Sequence, residues 1–139
     1  MKFKKKIASR IKQFREELDL PQLELAKLVG VSRQTIYYLE KGSYNPSLTI
    51  SFKISEILKK PINDIFYQEP IIKDILEGKS LAELKEVAEA SDINLEKLAS
   101  LSEIDDEELT SSFDENVLIK ISIALGMNFE DLFEKEVET

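Results

Sequence analysis

The chain has 139 residues, enough for one ordinary domain or two small ones. Asp and Glu number 27 and Lys and Arg 19, a net charge of -8. There is no Cys and no His, which excludes disulfides and thiolate catalysis and removes the usual zinc ligands and the commonest general base. The chain is therefore expected to be a non-enzyme with no catalytic residue, no metal and no cofactor. Hydrophobic residues make up 42%, which suits globular cores rather than disorder. Apolar runs are broken by charges every few residues, short of the roughly 18–20 residues that span a bilayer. The start, MKFKKKIASRIKQF, is basic but lacks the apolar run and cleavage site of a secretory signal, so a cytoplasmic location is expected.

Helical punctuation recurs along the chain. Ile7, Ile11, Phe14 and Leu18 are spaced as one apolar stripe of a first helix. Pro21 suits the start of a second helix, whose buried face is Leu25, Ala26, Leu28 and Val29 and whose stop is Gly30. Ser32 caps a third helix that Gly42 ends, and Ser47 caps a fourth that runs to about Lys59. In SLTISFKIS the residues Leu48, Ile50, Phe52 and Ile54 alternate as in a strand. Ile50, Ile54, Ile57 and Leu58 fit a helix equally well, so periodicity leaves both open. Pro61 breaks the chain, and INDIF makes a short turn.

The second half reads alike. Pro70 opens IIKDILEG, and Gly78 closes it. Ser80 and Glu83 form a capping-box pattern before LAELKEVAEA. Asn94, Asp105, Asp114 and Asn128 are further caps, the last for FEDLFEKE, and Gly126 ends NVLIKISIAL. No hairpin dipeptide is present, so an all-α protein is expected.

Charge divides along the chain. Residues 1–67 hold 13 Lys and Arg and 7 Asp and Glu, net +6; residues 68–139 hold 6 and 20, net -14. Exposed charges act over roughly 8 Å at physiological salt, so a basic half can attract phosphates if the acidic half is held away. Lys2, Lys4, Lys5 and Lys6 read either as a basic arm adding sequence-independent attraction or as a solvated terminus. In DDEE at 105–108 the carboxylates are read as complementing a helix start.

The chain also repeats itself. Shifted by 73, Leu25, Ala26 and Leu28 meet Leu98, Ala99 and Leu101, Val31 meets Ile104, and Ile36 meets Leu109. Shifted by 67, Lys53, Ile54, Ser55, Leu58, Asp64 and Phe66 meet identical residues. Where the first copy reads SRQTIYYLEKG, the second reads DDEELTSSFDE. Carboxylates there would repel phosphate, so the second copy is expected not to bind DNA.

The stretch SRIKQFREELDLPQLELAKLVGVSRQTIYYLEKGSYNPSLTISFKISEILKKPINDIF resembles the phage-repressor (Cro/Xre) helix-turn-helix family, in particular its small cytolysin-repressor-like subgroup. Several spaced elements carry the likeness: Q…LA…GVS, LEKG and YNPSL. It covers about residues 7 to 67. Pro21 stands where the family usually has a capping Ser or Thr. The resemblance implies a five-helix lambda-repressor-like fold, with residues 48 to 59 as its fourth helix. The expected organisation is a DNA-binding domain over 1–67, a helical linker over 68–79 and an acidic, degenerate second copy over 80–139 serving dimerisation or regulation.

The resemblance further implies a sequence-specific transcriptional regulator, a repressor acting on double-stranded DNA as a homodimer. The helix that starts at Ser32 would enter the major groove, where Arg suits guanine and Gln suits adenine. Arg33, Gln34, Thr35 and Tyr38 are the expected base contacts. Arg10, Gln22, Ser32, Tyr37, Lys41, Ser43, Tyr44 and Asn45 are the expected phosphate contacts, and Tyr37 is read alternatively as packing on the domain's own surface. Arg15 and Glu40 match a family ion pair that ties the first helix to the third. A reading from another class stays open: an antitoxin or decoy whose acidic half engages a basic protein partner.

Overall fold

The computed structural model describes residues 1–135. In chain order its elements are β1 (Lys2–Phe3), β2 (Lys5–Ser9), α1 (Ile11–Glu17), α2 (Gln22–Val29), α3 (Arg33–Lys41), α4 (Leu48–Leu58), α5 (Ile62–Ile65), β3 (Phe66–Pro70), α6 (Ile71–Glu77), α7 (Leu81–Ala90), α8 (Leu95–Ser100), α9 (Asp106–Ser112), α10 (Glu115–Ala124), α11 (Phe129–Leu132) and β4 (Phe133–Glu134). The fold is mostly helical, but short strands join the helices, which an all-α expectation did not include. No described helix is long and apolar enough to cross a membrane. The chain forms two units: Lys6–Glu69, and Met1–Lys5 together with Pro70–Thr139.

In the Lys6–Glu69 unit, Ile11, Leu25, Ala26, Val29, Ile36, Leu39, Ile54, Leu58 and Ile65 form the core. Strand β2 pairs with β3. This pairing takes Ile7 out of the expected first-helix stripe, and α1 begins only at Ile11. Leu18 is likewise not in the stripe; it caps α1 and is half exposed. Leu28 is 61% exposed, not on the buried face of α2. The ambiguous segment is a helix, α4, with Ser51, Ile54 and Leu58 turned inward.

The turns are those that short-range chemistry dictates. Ser32 Oγ accepts the Thr35 N–H at 3.1 Å, and Ser47 Oγ accepts the Ile50 N–H at 3.1 Å. Pro21 supplies no side-chain bond to α2. Gly30 (φ +86°) and Gly42 (φ +72°) end α2 and α3 in the left-handed region, where a Cβ is strained. At Gly42 space is short as well: an added Cβ would lie 3.2 Å from the Ile7 carbonyl and 3.3 Å from Lys6 Nζ.

The second unit is built on Phe3, Ile72, Leu76, Val87, Leu98, Leu101, Leu109, Phe113, Leu118, Ile121, Leu132 and Phe133, with Ala88 among them. The stretch expected to be a linker thus supplies α6 to this core through Ile72 and Leu76. The capping box of Ser80 and Glu83 is present, and Asn94, Asp105 and Asp114 accept N–H bonds at the starts of α8, α9 and α10. Hydrogen bonds with Ser80 hold the Glu83 carboxyl below its ordinary pKa. After α11 the chain turns extended at Phe133 instead of continuing the helix expected over FEDLFEKE; residue 136 of that stretch lies outside the described residues. On α10, Ile123 is 71% exposed and stands outside this core.

The lysine-rich start is neither a free arm nor a solvated terminus. Strand β1 pairs antiparallel with β4, Lys2 opposite Glu134 and Phe3 opposite Phe133. Phe3 is 2% exposed, its ring 6.0 Å from that of Phe133. Asp106, in the first turn of α9, accepts the Phe3 N–H at 2.9 Å and Lys5 Nζ at 2.8 Å. Burial opposes ionisation of Asp106, but these two hydrogen bonds, with the charges of Lys5 and Lys2, hold its carboxyl below the ordinary Asp value.

Three outcomes follow from these contacts. Gly42→Ala should lower the thermal stability of the Lys6–Glu69 unit by about 2 kcal/mol and Gly30→Ala by about 1, since only the first adds crowding to backbone strain. Phe3→Ala should destabilise the other unit by about 3 kcal/mol or more, read by amide exchange, and leave α1–α5 protected. The depressed Asp106 pKa means that its stabilisation is complete above an unfolded value of about 3.9 and is lost as pH falls through the folded one. An acid melt of Asp106→Asn should lack that component.

Candidate nucleic-acid interface

The exposed side of α3 is defined by what its other side buries. Ile36 and Leu39 point into the core, so Arg33, Gln34, Tyr37, Tyr38 and Lys41 point out. Arg33 and Gln34 are exposed in the first turn, immediately after the Ser32 cap. Gln34 Nε2 donates to the Tyr38 hydroxyl at 3.3 Å, one turn on. Thr35 is half-buried; its hydroxyl lies 2.9 Å from Ser32 Oγ and is occupied by the cap. The two tyrosines meet edge to face at 5.6 Å, and the Lys41 ammonium sits 4.5 Å above the Tyr37 ring. Tyr37 therefore does pack along the protein's own surface, yet it remains 37% exposed.

The helix is gripped at its C-terminal end. Toward its C-terminus, Ser9 Oγ of β2 donates to the Leu39 carbonyl at 3.1 Å, and Lys6 lies against Gly42. Ser43 donates its backbone N–H to the Tyr38 carbonyl at 3.0 Å and closes the turn. Ser43, Tyr44 and Asn45 then run exposed toward the α4 cap. Near the C-terminus of α3, Glu40 takes Arg15 Nε at 2.8 Å, side chains 6% and 11% exposed. Arg15 also donates to the Leu20 carbonyl at 3.0 Å. This is the ion pair that the sequence led one to expect, and it joins α1 to α3.

Two expected residues are more committed than their sequence suggested. Gln22 uses both ends of its side-chain amide within the protein: Nε2 donates to Glu40 at 2.6 Å, and Oε1 accepts from Arg33 Nη1 at 3.0 Å. What it leaves for an anion is its backbone N–H at the start of α2. Arg10 donates to the Asp64 carbonyl at 3.1 Å and lies 4.2 Å over the Tyr67 ring, while remaining exposed. Neither engagement was read from the sequence. The signal for the first was available: a buried carboxylate with one oxygen matched by Arg15 needs a donor for the other.

Charge divides between the two units differently than between the halves of the chain. The Lys6–Glu69 unit holds 10 Lys and Arg and 8 Asp and Glu, net +2, because Lys2, Lys4 and Lys5 belong to the other unit and Glu69 to this one. The positive character of residues 32 to 45 is local. It comes from Arg33, Lys41 and the helix starts, with the single carboxylate of that stretch, Glu40, buried against Arg15. A cationic, donor-rich helix with an intact turn before it can lie against phosphates and present side chains to base edges.

Comparison with known proteins agrees with this geometry. The helix-turn-helix family profile matches residues 11–65. An HTH-type transcriptional regulator of Archaeoglobus fulgidus is 53% identical over 58 residues, 42% of this chain and 82% of that protein. One from Methanocaldococcus jannaschii is 48% identical over 61 residues, 44% of this chain and 92% of the relative. YgzD, an HTH-type transcriptional regulator of Bacillus subtilis, is 36% identical over 61 residues, again 44% and 92%. Each covers less than half of this chain. The capped helix pair, the ion pair behind it and these likenesses lead to one statement: the chain belongs to the Xre/Cro-type helix-turn-helix family of DNA-binding transcriptional regulators.

Proposed function

We propose that the protein is a repressor that binds a palindromic operator as a homodimer, one α3 per half-site. The observation that carries this reading is the row Arg33, Gln34, Tyr38, exposed along one side of a helix whose other side is locked into the core. Arg33 suits guanine O6 and N7, Gln34 suits adenine N6 and N7, and Tyr38 extends the row by one turn with Thr35 beside it. The backbone N–H groups at the starts of α2 and α3, at Gln22 and after Ser32, would take phosphates, as would Arg10, Tyr37, Lys41, Ser43, Tyr44 and Asn45. One helix reads only a few base pairs. Two of them about 34 Å apart on a two-fold axis read a palindrome.

The second unit we read as a degenerate copy of the first. Support comes from the helix starts. The caps Pro21 and Ser32 have counterparts 73 residues on, Asn94 and Asp105; Ser47 and Pro61 have counterparts 67 residues on, Asp114 and Asn128. Those are the two shifts of the sequence repeat. Inward positions correspond too: Leu25 with Leu98, Ile36 with Leu109, Ile54 with Ile121 and Ile65 with Leu132 are all buried. At the place of Arg33 stands Asp106, and its bond partner is the chain's own Lys5. This copy would serve dimerisation or regulation. A second reading, a decoy or antitoxin module that takes a basic partner, is favoured by the same contact, because a lysine-bearing strand is what Asp106 of α9 holds.

Sites selected from random DNA with the full-length protein should be two-fold symmetric. Gln34→Ala should weaken operator binding by roughly tenfold or more, the scale of one bidentate base pair, while bulk DNA binding stays nearly constant; equal losses on both would remove Gln34 from base reading. Sedimentation of the full chain should give a dimer at micromolar concentration, and a monomer would refute the homodimer.

A further inference from the structure

We infer that Glu40, buried and out of reach of any duplex, sets the base preference of this protein by fixing the direction in which Arg33 is held. This rests on the reading that Arg33 contacts a base. Donors and acceptors fix that direction. An ionised carboxylate only accepts, and a guanidinium only donates. Glu40 Oε1 is filled by Arg15 Nε at 2.8 Å, so its Oε2, 2.6 Å from Gln22, demands the NH2 end of that amide. With the NH2 committed, the carbonyl end of Gln22 faces the other way, where Arg33 Nη1 donates to it at 3.0 Å.

The reverse orientation of Gln22 is forbidden twice. It would set an amide oxygen against the Glu40 carboxylate and an NH2 group against the Arg33 guanidinium, two repulsive contacts in place of two bonds. The chain Arg15–Glu40–Gln22–Arg33 therefore runs one way only, from a pair 11% and 6% exposed to an exposed cation. One N–H of Arg33 is spent on the anchor, and the rest of its fork stays open. A long side chain that would otherwise sample many rotamers is held before DNA arrives, which reduces the entropy lost on binding and selects one approach angle. Glu40 is thus a positioning residue, acting through Gln22.

The test compares full-length wild type with Glu40→Gln, Gln22→Leu, Arg33→Ala and the Glu40→Gln/Arg33→Ala double variant, all below their melting temperatures. Each is put through selection from random DNA, and its bulk DNA affinity is measured. Arg33→Ala marks the base position that Arg33 reads. At that position Glu40→Gln should reduce the base preference by roughly tenfold, with other positions and bulk affinity held within about twofold. The double variant should be no worse there than Arg33→Ala alone. Gln22→Leu leaves the Arg15–Glu40 pair intact and should show the same loss at that position, which keeps the test valid if Glu40→Gln folds poorly. Uniform loss at all positions, or no loss at the Arg33 position, would overturn the inference while the base-reading role stands. If Arg33→Ala changes no single position, the base-reading role of Arg33 falls and this inference with it.

Discussion

A carboxylate that is 6% exposed must have its lone pairs filled, and around Glu40 that requirement organises the first unit. The three groups that meet there come from three places: Arg15 from α1, Gln22 from the start of α2 and Glu40 itself from near the end of α3. Apolar packing of Leu25, Ile36 and Leu39 holds these helices together, but packing is tolerant of small rotations. A charged seam is not. A pair of this kind contributes little net stability, because desolvation offsets attraction, but it penalises any arrangement that leaves one member unpaired. The exposed side of α3 inherits its orientation from that seam.

The relation between charge and function is local in this molecule. An acidic chain with a basic half suggested attraction by net charge, yet the unit that carries α3 is only +2. What favours phosphate is the arrangement within residues 32 to 45, where two cations stand exposed and the lone carboxylate is buried and neutralised.

The parts of this fold that were legible in the sequence are those set by neighbours a few residues apart. Ser32, Ser47, Ser80, Asn94, Asp105 and Asp114 cap helices because each reaches an N–H two or three positions on. The Arg15–Glu40 pair was legible only through family resemblance. What was not legible depends on distant partners. Ile7 alternates or spirals equally well until β3 is known to lie beside it. Phe3 gives no sign of its burial, because Phe133 is at the other end of the described chain. Leu18 and Leu28 fit an apolar spacing but lie outside the arc that the core covers, and spacing alone does not give the width of that arc. Of the two bonds of Gln22, the one to Arg33 was hidden, because a flexible amide has no sequence signature for an exposed partner.

The pairing of Phe3 with Phe133 also sets a timetable. Helices α1 to α5 draw only on residues 6 to 69 and can fold in milliseconds or less once these have left the ribosome. Residues 2 and 3 emerge earlier still, but at usual elongation rates they wait on the order of ten seconds for β4 to be made. The second core is therefore sealed only when residue 133 is in place. A chain cut short between residues 70 and 132 therefore carries a finished α1–α5 unit and an unfinished, apolar remnant.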